Sequence, residues 1–274
     1  MGHDKLRKFA ENETFTCLVQ PSSADILANG FFDLRDHEIK GHWNERMFAK
    51  PQPVILELGC GKGEYTIDLA KRNPQYNYIG VDIKGARLWK GAKQATVEKL
   101  PNVAFLRTRI EFITAFFAPG EISQIWLTFS DPQMKSENSR LTSPLFMERY
   151  RRMLVPGGII HLKTDSRFLH EYSHAMASQN GLKIYAATKD LYSTPKEDLF
   201  QSRESSLLDD SSVDALYQVR TFYEKMFMAQ GYKITYLCFG IDREGAYVYP
   251  EFDAKYWRSV EGPRLLNFTV PNET

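Results

Sequence analysis

The run Val54-Ile55-Leu56-Glu57-Leu58-Gly59-Cys60-Gly61-Lys62-Gly63-Glu64 constrains the fold more than any other stretch. An apolar strand-like segment, broken only by Glu57, leads into three alternating glycines and then into an amphipathic segment. Glycines at every second position allow torsions that a Cβ forbids and let a ligand lie against the main chain, while the helix start behind them offers unpaired N–H groups. The turn is therefore built to hold a ligand at the end of a strand, where Glu57 supplies an acceptor. A second strand, Tyr78-Ile79-Gly80-Val81-Asp82, ends in an acid. That acid lies about 20 residues beyond the glycines, where a ribose-binding carboxylate is expected. Dinucleotide-binding turns use the spacing G-x-G-x-x-G, whereas this chain has G-x-G-x-G.

Strand and helix patterns alternate onward from Val54. Helices are expected over 64–73, stopped by Pro74, and over 85–100, stopped by Pro101. Short apolar or β-branched runs at 103–107, 125–129, 158–163 and 233–239 have the length of strands. Phe146, Met147, Tyr150, Met153 and Leu154 form one helical stripe, and Phe168, Leu169, Tyr172, Ala175 and Met176 form another. Both stripes suit helices lying flat on a sheet. The alternation predicts an α/β fold with a mainly parallel, doubly wound sheet and helices on both faces. Residues 51–240 are expected to form that domain, with 1–50 as an N-terminal arm and 241–274 as a C-terminal extension. The polar composition of 190–217 predicts a mobile surface loop. A helix follows, with Val219, Phe222, Tyr223 and Met226 as its expected buried face and Thr221, Glu224 and Lys225 near the other side.

With 274 residues, 43% of them apolar, the chain has material for a large core. Its apolar runs fall short of the ~20 residues of a membrane span, and Asp4, Lys5, Arg7, Lys8 and Glu11 leave no hydrophobic leader near the start. A soluble cytoplasmic protein is expected, without a membrane partner. Cys17, Cys60 and Cys238 are odd in number and widely separated, which gives neither metal-ligand spacing nor a disulfide framework. No metal is expected. The formal charge of +1 neither demands nor excludes a nucleic acid, so local clusters carry that question. They are Lys5/Arg7/Lys8, Arg87/Lys90/Lys93 and Arg149/Arg151/Arg152, and each taken alone reads as a solvated face.

Glu57, the glycines and Asp82 together resemble the S-adenosylmethionine pocket of Rossmann-like class I methyltransferases. Further along stand Phe129-Ser130-Asp131-Pro132, Lys135, Arg140-Leu141-Thr142, Thr164-Asp165 and Thr221-Phe222-Tyr223-Glu224. These resemble, in order and spacing, the signature of the tRNA (guanine-N7)-methyltransferase family, from about Pro51 to Phe239. Leu6-Arg7-Lys8-Phe9-Ala10 and Gly41-His42-Trp43-Asn44 are similar to that family's N-terminal arm. The resemblance implies S-adenosyl-L-methionine as co-substrate and tRNA as partner. It places Glu57, Gly59, Gly61, Asp82, the position of Arg109, and Asp131 around the cofactor, and Lys135, Asp165, Thr221 and Glu224 on the guanosine side. The chain departs from the pattern at Thr108-Arg109-Ile110-Glu111, where members have an acid or amide, so that adenine contact would fall to the backbone. It departs again at 133–140, where a dense basic run is replaced by a shorter, less basic loop.

Guanine N7 has a lone pair and no proton, so its methylation needs no general base. Asp131 is accordingly expected to act by orientation and electrostatic stabilisation, and Asp165 and Glu224 by accepting hydrogen bonds from the guanine edge. Paired RNA hides N7 in a deep groove, which points to a loop guanosine, and the resemblance selects the tRNA variable loop. Local explanations stand beside these roles. Asp131-Pro132 suits a turn, Thr164-Asp165 a helix cap, and Thr221 with Glu224 a capping box. A nicotinamide-dependent dehydrogenase, a non-catalytic tRNA-binding relative and a methyltransferase for another substrate remain alternatives, and monomer and homodimer are both open.

Overall fold

The structure, a computed structural model, describes residues 2–200 and 205–266. The N-terminal part contains helix α1 (Gly2–Asn12), strand β1 (Leu18–Val19) and helices α2 (Ser23–Ile26) and α3 (Trp43–Met47). The alternating part follows with β2 (Val54–Leu58), α4 (Glu64–Arg72), β3 (Asn77–Asp82), α5 (Gly85–Val97), β4 (Val103–Arg107), β5 (Ile122–Thr128), α6 (Pro144–Arg151), β6 (Leu154–Thr164), α7 (Arg167–Gln179) and β7 (Ile184–Thr188). It closes with α8 (Lys196–Leu199), α9 (Asp210–Gln218), α10 (Phe222–Ala229), β8 (Thr235–Gly240) and α11 (Ala254–Leu266). Among the described residues, no helix is long and apolar enough to cross a membrane.

The strands form one sheet in the order β1-β4-β3-β2-β5-β6-β8-β7, parallel except for β8, which runs antiparallel to both its neighbours. Every residue of β2, β3 and β5 is buried, as expected of parallel strands covered on both faces. Val54, Leu56 and Leu58 join a core with α6 and α7, whereas Ile55 joins the opposite core with α4, α5 and α9. Glu57 shares the parity of Ile55 and so faces α4. The order reverses between β2 and β5, and a crevice at the carboxyl ends of such strands is where open α/β sheets take ligands. The Phe105 ring seats the glycine turn on the sheet. A Cβ on Gly63, Gly80 or Gly91 would meet it at 2.7, 2.8 and 2.7 Å respectively, so only glycines allow this approach.

Four sequence expectations change. The helix expected to reach Leu100 stops at Val97, because Lys99 takes φ 53° and turns the chain. The stretch 190–217, expected as a mobile polar loop, instead carries α8 and α9 among its described residues. Leu191, Leu199, Phe200, Leu208, Val213 and Leu216 are buried there against the sheet, too sparsely spaced to show as a periodic pattern. The buried residue of α10 is Glu224, while Phe222, expected inside, is 40% exposed. The described parts of both extensions pack onto the domain. Trp43 is fully buried, stacks on Phe117 and donates its indole N–H to the Phe116 carbonyl at 2.8 Å, and β1 pairs with β4. At the other end, Tyr247 is buried in the main core.

Candidate active site

The glycine turn is fixed by backbone bonds. Gly59 and Cys60 N–H both donate to the Val81 carbonyl, at 2.8 and 3.0 Å. Gly59 and Gly61 take φ +80° and +56°, a region that disfavours side chains, and an ideal Cβ on either would meet nothing within 4 Å. The turn is thus open on its outer side. Gly61 N–H donates to Asp82 Oδ2 at 3.0 Å and Lys84 N–H to Asp82 Oδ1 at 2.7 Å. The Asp82 carboxylate therefore ties the turn after β2 to the turn after β3, and each oxygen keeps a further lone pair.

Glu57 lies beneath the turn. Its Oε2 accepts from Thr66 N–H at 2.8 Å and from the Thr66 hydroxyl at 2.5 Å, and its Oε1 accepts from the Thr128 hydroxyl at 2.5 Å. Burial pushes its carboxyl up to about 7, against the effect of these bonds, which favour the charged form. No sequence motif points to Thr66 or Thr128 as partners of Glu57. The available signal was their position, in the first turn of α4 and at the last residue of β5.

At the end of β5 the chain turns sharply. Phe129 and Gln133 take φ 51° and 46°, a region costly for non-glycine residues, with about 1–3 kcal/mol per residue as the usual scale. Between them the Ser130 hydroxyl is buried with no hydrogen-bond partner, and the exposed Asp131 accepts from Gln133 N–H through Oδ1 at 2.9 Å. Arg140, 3% exposed, holds this loop from behind. It donates to the Gln133 and Met134 carbonyls, both at 3.2 Å, with its guanidinium 4.7 Å from the Phe168 ring centre and 4.4 Å from that of Tyr172. Lys135 is exposed on the same loop.

Asp165 follows β6 and is half-buried, and the cap of α7 is Ser166, which accepts from Leu169 N–H at 3.1 Å. Thr221 caps α10 in a full capping box with Glu224. The expected role of Glu224 as an acceptor open to a base is corrected here, because its side chain has no exposed surface. It pairs with Lys163 at 2.7 Å, accepts from the Tyr192 hydroxyl and accepts from Thr221 N–H at 3.3 Å. Lys163 also donates to the Tyr65 hydroxyl and the Leu216 carbonyl, both at 2.8 Å, and burial lowers its ammonium to about 8 although Glu224 raises it. The side chain of Arg109 lies 3.4 Å from Glu111 and over the Phe112 ring.

Glu57, Gly59, Gly61, Asp82, Asp131 and Asp165 therefore stand at or just beyond the carboxyl ends of β2, β3, β5 and β6, on one edge of the sheet. Thr221 approaches them through the neighbouring N–H of Phe222, which donates to Glu64 at 3.2 Å in the first turn of α4. Residues 51–234 match the family described as "Putative methyltransferase". A tRNA (guanine-N(7)-)-methyltransferase of Bacteroides fragilis is 45% identical over 254 residues, 92% of either chain. One from Cytophaga hutchinsonii is 41% identical over 241 residues, 87% of this chain and 98% of its own. The crystal structure of the 16S rRNA methyltransferase KamB, 14% identical, superposes with a TM-score of 0.50 over 70% of this chain and 89% of its own, a likeness of fold. On this architecture, and with identity of that level along nearly its whole length, the chain belongs to the tRNA (guanine-N7)-methyltransferase family.

Proposed function

We propose that this chain transfers a methyl group from S-adenosyl-L-methionine to N7 of a guanosine in the tRNA variable loop, giving 7-methylguanosine. The observation that carries the reading is the likeness to named tRNA (guanine-N(7)-)-methyltransferases along nearly the whole chain. The donor set fits the cofactor. Gly59 and Gly61 leave open the space that a side chain would fill, Asp82 presents fixed acceptors for vicinal hydroxyls, and a buried carboxylate at Glu57 complements an amine. When bound, the cofactor supplies an electrophilic sulfonium methyl.

The protein's contribution is then placement and field. Asp131, fixed by the Gln133 amide and by Arg140 behind it, sits at the topological reversal of the sheet, and its carboxylate stabilises positive charge as that charge moves onto the purine. Asp165 accepts from the guanine edge, and Thr221 lines the same side. Glu224 acts at one remove, holding Thr221 in place from within its buried pair. Lys135 meets phosphate. At the Arg109 position the adenine contact is a backbone one. On this reading the enzyme acts in the cytoplasm, where its tRNA substrate is.

The test is methylation of unmodified transcript tRNA with labelled S-adenosylmethionine, followed by mass mapping. One methyl group at N7 of one variable-loop guanosine is expected, and Asp131→Ala lowers kcat by about 10²-fold or more, the usual scale for removing a preorganised electrostatic partner. A methyl group on any other atom, or tRNA binding without turnover, would overturn the proposal.

A further inference from the structure

Loop 133–140 carries two cations, Lys135 and Arg140, and Arg140 is buried in loop-holding contacts, so phosphate neutralisation has to come from elsewhere. Two of the three cation clusters in the sequence, Lys5/Arg7/Lys8 and Arg87/Lys90/Lys93, lie beside one another on the described surface. On α5 and its cap, Lys84, Arg87, Lys90 and Lys93 recur every third residue, with no acid between Gly85 and Val97. Their steps are about 4.5 Å along the helix axis, so the row covers about 14 Å. Helix α1 packs beside it, with Trp89 Nε1 donating to Glu11 at 2.7 Å and Asn12 Nδ2 to the Gly85 carbonyl at 3.0 Å. This docking brings Arg7 and Lys8 to Trp89 on that face, and Lys5 lies 5.9 Å from the ring centre of Phe9 on α1. Between residues 2–12 and 84–97, seven Lys and Arg face two carboxylates, Asp4 and Glu11, in a chain whose total charge is +1.

The cations are interleaved with rings. Arg7, Lys8 and Lys93 lie 5.1, 5.0 and 4.8 Å from the Trp89 ring centre, and Arg107 lies 4.9 Å from that of Phe9. The row starts at the active-site edge, because Lys84 N–H bonds Asp82. It meets α10 there, where Arg87 reaches the Tyr223 hydroxyl at 3.4 Å and Lys62 lies 5.1 Å from the ring of the exposed Phe222. A cationic track with aromatic platforms that leads into a base-modifying crevice matches the chemistry of an RNA strand, whose phosphates need cations and whose bases need flat faces.

We propose that the composite face of α1 and α5 is the RNA-backbone dock of this protein and replaces the phosphate contacts that loop 133–140 lacks. The proposal rests on the tRNA reading above. Lys90 and Lys93 are exposed and touch none of the catalytic groups, so Lys90→Gln/Lys93→Gln in the full chain tests it. Lys50→Gln/Lys71→Gln, in the cleft at the opposite edge of the sheet, is the control. With transcript tRNA, the first variant raises KM for tRNA about tenfold and makes the slope of log Kd against log salt shallower by about 1.4 to 1.8, at about 0.7 to 0.9 per phosphate contact. Its kcat and its affinity for S-adenosylmethionine stay at the wild-type values. A slope and KM equal to those of the control overturn the dock while leaving the methyltransferase reading intact. Variant-sensitive binding to phosphatidylserine vesicles with an unmoved tRNA slope overturns it in favour of a lipid surface. A wild-type chain that neither binds nor methylates tRNA overturns the reading and the dock together.

Discussion

Burial raises the Glu57 carboxyl from 4.5 to about 7 although Thr66 and Thr128 donate three hydrogen bonds to it. Between those two values the folded state holds a proton that the unfolded chain has lost. The associated stability is fully present below about pH 4.5 and is lost as the pH rises through 7, a difference of roughly 3 kcal/mol on the scale of 1.36 kcal/mol per unit. Urea unfolding at pH 5 and pH 8 should show that loss in the wild type and little of it in Glu57→Gln, whose amide cannot titrate. Equal pH dependence in the two proteins would dissociate the effect from this residue. Asp82 calls for a different substitution. Its two oxygens satisfy the Gly61 and Lys84 amides, so Asp82→Ala should cost about 1–3 kcal/mol of stability as well as cofactor affinity. Asp82→Asn, which keeps one acceptor, should recover much of the stability but little of the affinity; calorimetry with S-adenosylmethionine beside thermal unfolding separates the two effects. The positions of Glu57 and Asp82 are legible because each acid stands in the last two residues of a largely apolar strand. Thr66, Thr128 and Lys163 are not, because their partners lie 9 to 98 residues away and only the folded sheet brings them together.

At the scale of elements, α9 and α10 are held by one buried ion pair. Lys163 of β6 bonds Glu224, the Leu216 and Val219 carbonyls near the end of α9, and the Tyr65 and Tyr192 hydroxyls, with neither charged side chain exposed. The sequence showed Thr221 and Glu224 as a capping box, which they are, but a cap pattern cannot reveal that its acid points inward onto a lysine from another strand. The polar run before it was misleading for a related reason, since Ser, Asp and Glu dominate its composition while a few widely spaced apolar residues decide its packing. Glu224→Ala leaves an uncompensated buried ammonium and should destabilise the fold by roughly 3–5 kcal/mol, read from the urea midpoint. Lys163→Met/Glu224→Leu should regain most of that loss, because an apolar pair of similar volume avoids the desolvation of both charges. A double variant no more stable than the single one would mean that the hydrogen bonds to α9, and not the charge, hold the segment.

Across the whole molecule, parallel strands deliver their carboxyl ends to one edge, which is why motifs that the sequence places at strand ends come together there. The alternation that makes this legible stops outside 51–240. A two-residue strand such as β1 has no pattern to read, and α11 acts through single contacts. Phe252, just before α11, packs edge-on against Phe168 and Tyr172, both at 5.4 Å, and stacks on Trp257, while Glu261 accepts from Phe168 N–H at 2.5 Å at the start of α7. Phe168 and Tyr172 are the two rings on which Arg140 rests, and Arg140 fixes the carbonyls of the loop that carries Asp131. A continuous line of contacts therefore joins the C-terminal region to the loop that carries Asp131. Phe252→Ala should cost about 1–2 kcal/mol, less than the 3–5 typical of a fully buried phenylalanine because this one is half-buried. Its larger effect should be on turnover. As the two rings loosen, the Asp131 loop loses its support, and kcat on tRNA should fall about tenfold, a little over 1 kcal/mol of barrier, while the Kd for S-adenosylmethionine stays within about twofold. Single-turnover methylation beside calorimetric titration reads both quantities, and wild-type turnover in a variant that has lost stability would break the line at Arg140.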